Sequence, residues 1–221
     1  MKKFLLAIGL PLLVALPWDA AAARTMPAGS DGYSAQLERP SRRVIRASVR
    51  ETYPQNTDRP TISEVQLDRT FEDSSLGVKI QYPSSWSRQD LMEKTPPLTL
   101  VVMFLSPEEH PVDLHQNINL VVEDLPTDMT LAQYSELGLE MERKFFDEFL
   151  LLESQDIILA GMYRAHRVVF TASLAGGEMT FEQIWLLRGK TAHVWTFADS
   201  ADVFEEHLNT FERMMDTLTV R

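Results

Sequence analysis

Cysteine is missing from all 221 residues. Disulfides, thiolate nucleophiles and Cys-ligated metals are thereby excluded, and the fold must be held by packing. Glycine is scarce, with nine residues in the whole chain. None of them heads a phosphate-binding loop, because Gly176-Gly177 lacks the Lys-Ser/Thr that would follow. No Gly-x-Ser-x-Gly elbow occurs either. The apolar run over residues 4–16 is broken by Gly9 and Pro11 and is too short to span a bilayer comfortably, since about 20 residues are needed. Positive charge is sparse beyond residue 61, where residues 62–221 hold 12 Lys/Arg against 27 Asp/Glu. A body with a net charge of −15 repels nucleic acid and anionic lipid headgroups.

What is present begins with the first 23 residues. Lys2 and Lys3 precede the apolar run, and Ala20-Ala21-Ala22-Ala23 places small residues at both signal-peptidase positions. A Sec-type leader over residues 1–23, cleaved before Arg24, is the expectation. The chain therefore reads as exported, periplasmic or extracellular, in a bacterial manner. Residues 24–61 contain Pro27, Gly29, Gly32, Pro40, Pro54 and Pro60 and no sustained apolar period, so a flexible arm is expected there. Seven arginines against four carboxylates give this arm +3, with Arg39, Arg42, Arg43, Arg46 and Arg50 close together. It reads as a solvated linker or as an arm making peripheral membrane or partner contact. The folded domain is expected over residues 62–221.

Strand signals dominate that domain. Residues 62–71 alternate loosely, Val78-Lys79-Ile80-Gln81-Tyr82 alternates cleanly up to Pro83, and residues 98–105 form a nearly continuous apolar run. Residues 118–123 are a further strand. A helix follows, with Thr130 and Gln133 as a capping box and Tyr134, Leu137, Met141, Phe145 and Phe149 as its apolar stripe. Four strands are predicted at residues 156–159, 163–172, 179–187 and 192–197, joined by short links that favour antiparallel hairpins. A last helix is predicted from Asp202, which would pair with Glu205 as a second capping box, with Phe204, Leu208, Phe211, Met215 and Leu218 facing inward. The pattern predicts the α+β class: an antiparallel sheet flanked by helices on both faces.

The segments Gly77-Val78-Lys79-Ile80-Gln81-Tyr82-Pro83-Ser84-Ser85-Trp86, Asn117-Ile118-Asn119-Leu120-Val121-Val122-Glu123 and Thr130-Leu131-x-x-Tyr134 resemble the PsbP-like superfamily. So does the ending, Phe197-Ala198-Asp199 through Phe204 to Phe211. The likeness covers roughly residues 65–220. The superfamily takes its name from an extrinsic photosystem II subunit and includes DcrB-type bacterial envelope proteins. The resemblance implies a PsbP-like α/β/α sandwich and a non-catalytic accessory role, with Tyr82 and Trp86 as core anchors. The leader here is neither a plastid transit peptide nor a lipobox with its cysteine, which argues against a photosystem role.

The densest polar cluster is Glu108-Glu109-His110-Pro111-Val112-Asp113-Leu114-His115 on an expected hairpin loop. His110, His115, Asp113 and Glu109 are donors suited to zinc or manganese, although their spacing matches no recognised motif and a solvated acidic loop has the same composition. His166 and His193 fall on strands, where a local hydrogen-bond partner is expected, and His207 is assigned to the polar side of the last helix. No catalytic constellation is recognisable, and no enzyme is expected. The sequence thus favours an exported, non-catalytic binding or assembly-accessory protein of the cell envelope with a protein partner. A periplasmic divalent-metal-binding protein and a small periplasmic hydrolase are the alternatives.

Overall fold

The computed structural model describes residues 65–107, 116–174 and 177–221. The expected leader and arm, and the whole of residues 108–115, lie outside them. The described chain runs β1 (Arg69–Asp73), β2 (Val78–Tyr82), β3 (Ser87–Thr95), β4 (Leu98–Leu105), β5 (Asn117–Asp124), α1 (Leu131–Phe145) and β6 (Asp147–Leu159). It continues through β7 (Tyr163–Leu174), β8 (Gly177–Arg188), β9 (Thr191–Ser200), α2 (Phe204–Asp216) and β10 (Thr219–Val220).

Seven strands form one antiparallel sheet in the order β3-β4-β5-β9-β8-β7-β6. Its central strands are buried on both sides: β4, β8 and β9 each show long unbroken runs of buried residues. That is why their sequences read as continuous rather than alternating apolar runs. On one face Phe204, Phe211, Met214 and Met215 of α2 pack with Ile118, Leu120, Trp195 and Phe197. The small sheet β1-β2-β10 joins this cluster through Phe71, Val78, Ile80 and Val220. On the other face Tyr134 and Phe146 pack with Val121, Phe170, Phe181, Trp185 and Val194. Each fully buried side chain of this size contributes about 1.5–3 kcal/mol, and in a chain without disulfides these two clusters are the main source of stability.

The sequence expectation of an antiparallel α+β sandwich with helices on both faces holds, and several local expectations need correction. Arg69 opens β1, so residues 65–68 are not strand, although Leu67 still packs on the core. Two strands went unpredicted, β3 and β10. The capping box at α1 is present, with Gln133 N–H donating to Thr130 Oγ1 at 3.2 Å and Thr130 N–H to Gln133 Oε1 at 2.9 Å. The helix ends at Phe145, however, and Phe149 belongs to β6. Its buried line is Tyr134, Ser135, Gly138 and Glu142, whereas Leu137 and Met141 are half-buried and Phe145 is exposed. At α2 the expected Asp202–Glu205 box is absent. Val203 is the N-cap without a side-chain bond, and Asp202 accepts from Ser200 Oγ instead.

Candidate interaction surface

The two ends of the large sheet differ in chemistry. β6 is a terminal strand of 13 residues, Asp-Glu-Phe-Leu-Leu-Leu-Glu-Ser-Gln-Asp-Ile-Ile-Leu, with no Lys, Arg, Pro or Gly among them. Bulges between Asp147 and Leu150 and between Leu151 and Glu153 disturb its first half, where Glu148 takes φ 54°. From Glu153 to Leu159 the register against β7 is unbroken. The strand ends in a tight turn in which Ala160 and Gly161 both have positive φ, 47° and 71°. Met162 N–H donates to Leu159 O at 3.0 Å, the geometry of a type I′ hairpin turn. Leu150, Ile158 and Met162 are exposed at 58, 61 and 66%.

Two polar arrangements hold β6 to β7. On the face toward α1, His166 of β7 stands opposite Asp156. Its Nδ1 lies 2.7 Å from Asp156 Oδ1 and its Nε2 lies 2.9 Å from Ser154 Oγ. Trp185 of β8 stacks on the imidazole, with ring centroids 5.8 Å apart. On the opposite face the Arg167 guanidinium grips Glu182 bidentately at 2.7 and 2.6 Å and Glu153 at 2.9 Å. Burial opposes the charge on Arg167, but the bonds and charges of Glu182 and Glu153 outweigh it and hold its pKa above the usual value. Burial raises Glu182, against the lowering effect of Arg167.

Serine, histidine and aspartate in hydrogen-bonded sequence have the order of a hydrolase relay. The surroundings do not match one: Asp156 is 62% exposed, where an orienting acid is shielded, and Ser154 stands within a regular strand rather than on a strand-to-helix turn with amides converging on a substrate. His166 is thus a strand side chain with local partners. His207, expected on a polar face, instead turns onto the sheet, with Nδ1 2.8 Å from Asp199 Oδ2, a fully buried carboxylate. His193 is buried, and burial together with the Arg188 charge lowers its pKa to about 4.

The interior beneath α1 also carries polar groups. Tyr134 Oη donates to Glu123 Oε2 at 2.8 Å. Burial raises Glu123 despite that bond. Burial likewise raises Glu142 to about 7, with the Gln183 amide acting against the rise. Asn119 Oδ1 and Thr196 Oγ1, neighbours across β5 and β9, are buried without a hydrogen-bond partner among the described residues. An open depression of about 530 Å³ lies elsewhere, lined by Gln66, Leu67, Asp68, Gln81, Arg213, Asp216 and Thr217.

The proposed metal donors Glu109, His110, Asp113 and His115 lie outside the described residues, among which no group of three or more His, Asp or Glu is placed to hold a metal. On either side of these donors, Ser106 N–H donates to Gln116 O at 3.1 Å. No helix of the described residues is long and apolar enough to cross a membrane. Sequence reasoning passed over Ser154, Asp156 and the exposed apolar side chains of β6, although counting back from the Ala160-Gly161 turn sets Asp156 opposite His166.

Solved structures share this fold at low sequence identity. Cyanobacterial PsbP (CyanoP) of Synechocystis sp. PCC 6803 superposes with a TM-score of 0.54 at 13% identity, over 73% of this chain and 98% of that one. LpqN of Mycobacterium tuberculosis, involved in cell envelope biogenesis, gives 0.50 at 14% identity over 65% and 82%. A Pseudomonas aeruginosa protein of unknown function gives 0.50 at 18% identity over 69% and 96%. At these identities the likeness establishes the fold, which is PsbP-like. No protein-family model matches the sequence, and no curated protein does.

Proposed function

We propose that this chain is an exported, non-catalytic accessory protein that binds a protein partner in the cell envelope, and that β6 is the surface it uses. The observation that carries this reading is the exposure of Leu150, Ile158 and Met162 on and beside a terminal strand whose outer edge has no strand partner among the described residues. Exposed apolar side chains along a sheet edge favour association with another chain. The leader expected over residues 1–23 supports export. The envelope role of LpqN, a protein of like fold, is compatible with the same compartment. A role in binding rather than catalysis fits the exposed Asp156 and the mid-strand Ser154.

The test is quantitative capture. The tagged mature protein and its Ile158→Asp variant are recovered from envelope extracts at equal loading, with thermal melts as a folding control. An exposed position tolerates such a change within about 0.5 kcal/mol. The expected result is one or more proteins retained by the wild type and lost from the variant. Identical captures from both would remove β6 as the binding surface.

A further inference from the structure

Resting on that reading of β6, we infer that its partner is a basic, extended polypeptide segment that adds to the seven-stranded sheet as an eighth strand beside β6. The two edges of the sheet make the case by contrast. β3 carries Arg88 and Lys94, is bulged between Asp90 and Glu93 with Met92 at φ 47°, and runs into Pro96-Pro97. Edge cations, bulges and nearby prolines are the devices by which sheets prevent unwanted strand addition. β6 has no cation and no proline, and its bulges stop before Glu153, leaving seven residues in unbroken register up to Leu159. Among the described residues, a terminal strand of that regularity presents unpaired N–H and C=O groups along its outer side, the template that β-addition uses. Glu153 is held from behind by Arg167 and Asp156 by His166, so the template is anchored to the sheet rather than frayed from it.

Charge selects the occupant. β6 carries Asp147, Glu148, Glu153 and Asp156, within a body already strongly acidic. Pairing with a second copy would bring two acidic strands of two acidic bodies together, and like charges facing across strands are destabilising. A basic segment meets the opposite condition and is also steered toward the body's negative field. The sequence along the strand gives this segment a polarity. A cationic residue faces Asp156. Apolar residues cover Ile158 and Met162, where Arg164 stands across from Ile158 and disfavours a further cation. Backbone pairing gives affinity without a fixed sequence, and the alternating side chains give selectivity.

The probe is a synthetic peptide of about ten residues, a usual strand length, with lysines in one half and valines in the other. It is titrated into the full mature chain by calorimetry, with hydrogen exchange followed in parallel. Saturable binding is expected, with slowed exchange confined to the part of β6 after Glu153, weakening about tenfold as salt rises from about 0.05 to 0.3 M. An N-methylated peptide with the same side chains lacks the backbone donors and should not bind, nor should a glutamate–valine peptide. Ile158→Lys, which gives β6 the edge cation that β3 has, should abolish binding while leaving the melting temperature unchanged. Equal binding of the N-methylated peptide would overturn strand addition, and equal binding of the glutamate peptide would overturn the charge assignment. A salt-stable dimer formed through β6 would overturn both. If Ile158→Asp loses its envelope partner yet no peptide binds, strand addition fails while the partner-binding role of β6 stands.

Discussion

Gly138 of α1 and Trp185 of β8 are in contact so close that a Cβ on residue 138 would stand 2.7 Å from the indole Cη2. The same indole stacks on His166, which holds Ser154 and Asp156 of β6. One aromatic ring therefore couples the seating of α1 to the β6–β7 pair.

Gly138→Ala is expected to destabilise the domain even though alanine is the better helix former by about 1 kcal/mol. Overpacking against a fixed ring costs about 1–3 kcal/mol, so a net loss of up to about 2 kcal/mol should appear as a lower urea midpoint. Tryptophan fluorescence should shift with it. A variant of raised stability would mean that the helix is not held at this distance.

Stability should fall as pH rises through neutrality. Burial raises Glu142 from 4.5 in its ordinary state to about 7 in the fold. Between those values the native chain holds a proton that the unfolded chain has released, so the contribution is complete below 4.5 and lost as pH passes 7. His193 works the other way, since its depressed pKa of about 4 against an ordinary 6.5 makes stability rise over that interval. Urea midpoints from pH 4 to 9 should therefore pass through a maximum in mildly acidic solution. Glu142→Gln should flatten the alkaline limb, and an unchanged slope in this variant would place the titration elsewhere.

Arg167→Met should be among the more damaging single substitutions. It leaves Glu182, almost fully buried, without its bidentate partner, and breaking a buried pair from one side costs about 3–5 kcal/mol. Adding Glu182→Leu removes the stranded charge and should recover much of the loss. Chemical denaturation of the two single variants and the double variant measures the coupling.

Zinc or manganese should raise the melting temperature if Glu109, His110, Asp113 and His115 act together, because a ligand bound only by the folded state stabilises it by mass action. Replacing His110 and His115 together with alanine should abolish the shift. No shift at millimolar metal would remove the loop as a metal site.

Much of the architecture is legible where burial and periodicity coincide. β4 follows the apolar run at residues 98–105 residue for residue, and the Thr130–Gln133 box marks the start of α1 to the residue. The reading errs where apolar side chains are not what makes the closest contact. α1 docks through Tyr134, Ser135, Gly138 and Glu142, so of its apolar stripe Tyr134 is buried, Leu137 and Met141 are half-buried and Phe145 is exposed. β3 shows no period because, apart from half-buried Leu91, all its residues are exposed. The boundary between α1 and β6 leaves no mark in the sequence, because no glycine or proline separates them and Phe146 simply turns to extended backbone at φ −90°, ψ 135°. His166 lies 10 residues from Asp156 and 12 from Ser154 and meets them only through hairpin register, which composition does not reveal.

The partner-binding role of β6 is tested most directly by placing a photo-crosslinking amino acid at Ile158, and separately at Gln89 on β3, in the full-length protein expressed in its own cells. Both positions are exposed and lie on opposite terminal strands of the same sheet. Irradiation is expected to give a discrete higher-mass adduct from position 158 and none from position 89. Adducts of equal yield from both positions, or from position 89 alone, would contradict the assignment of β6 as the binding edge.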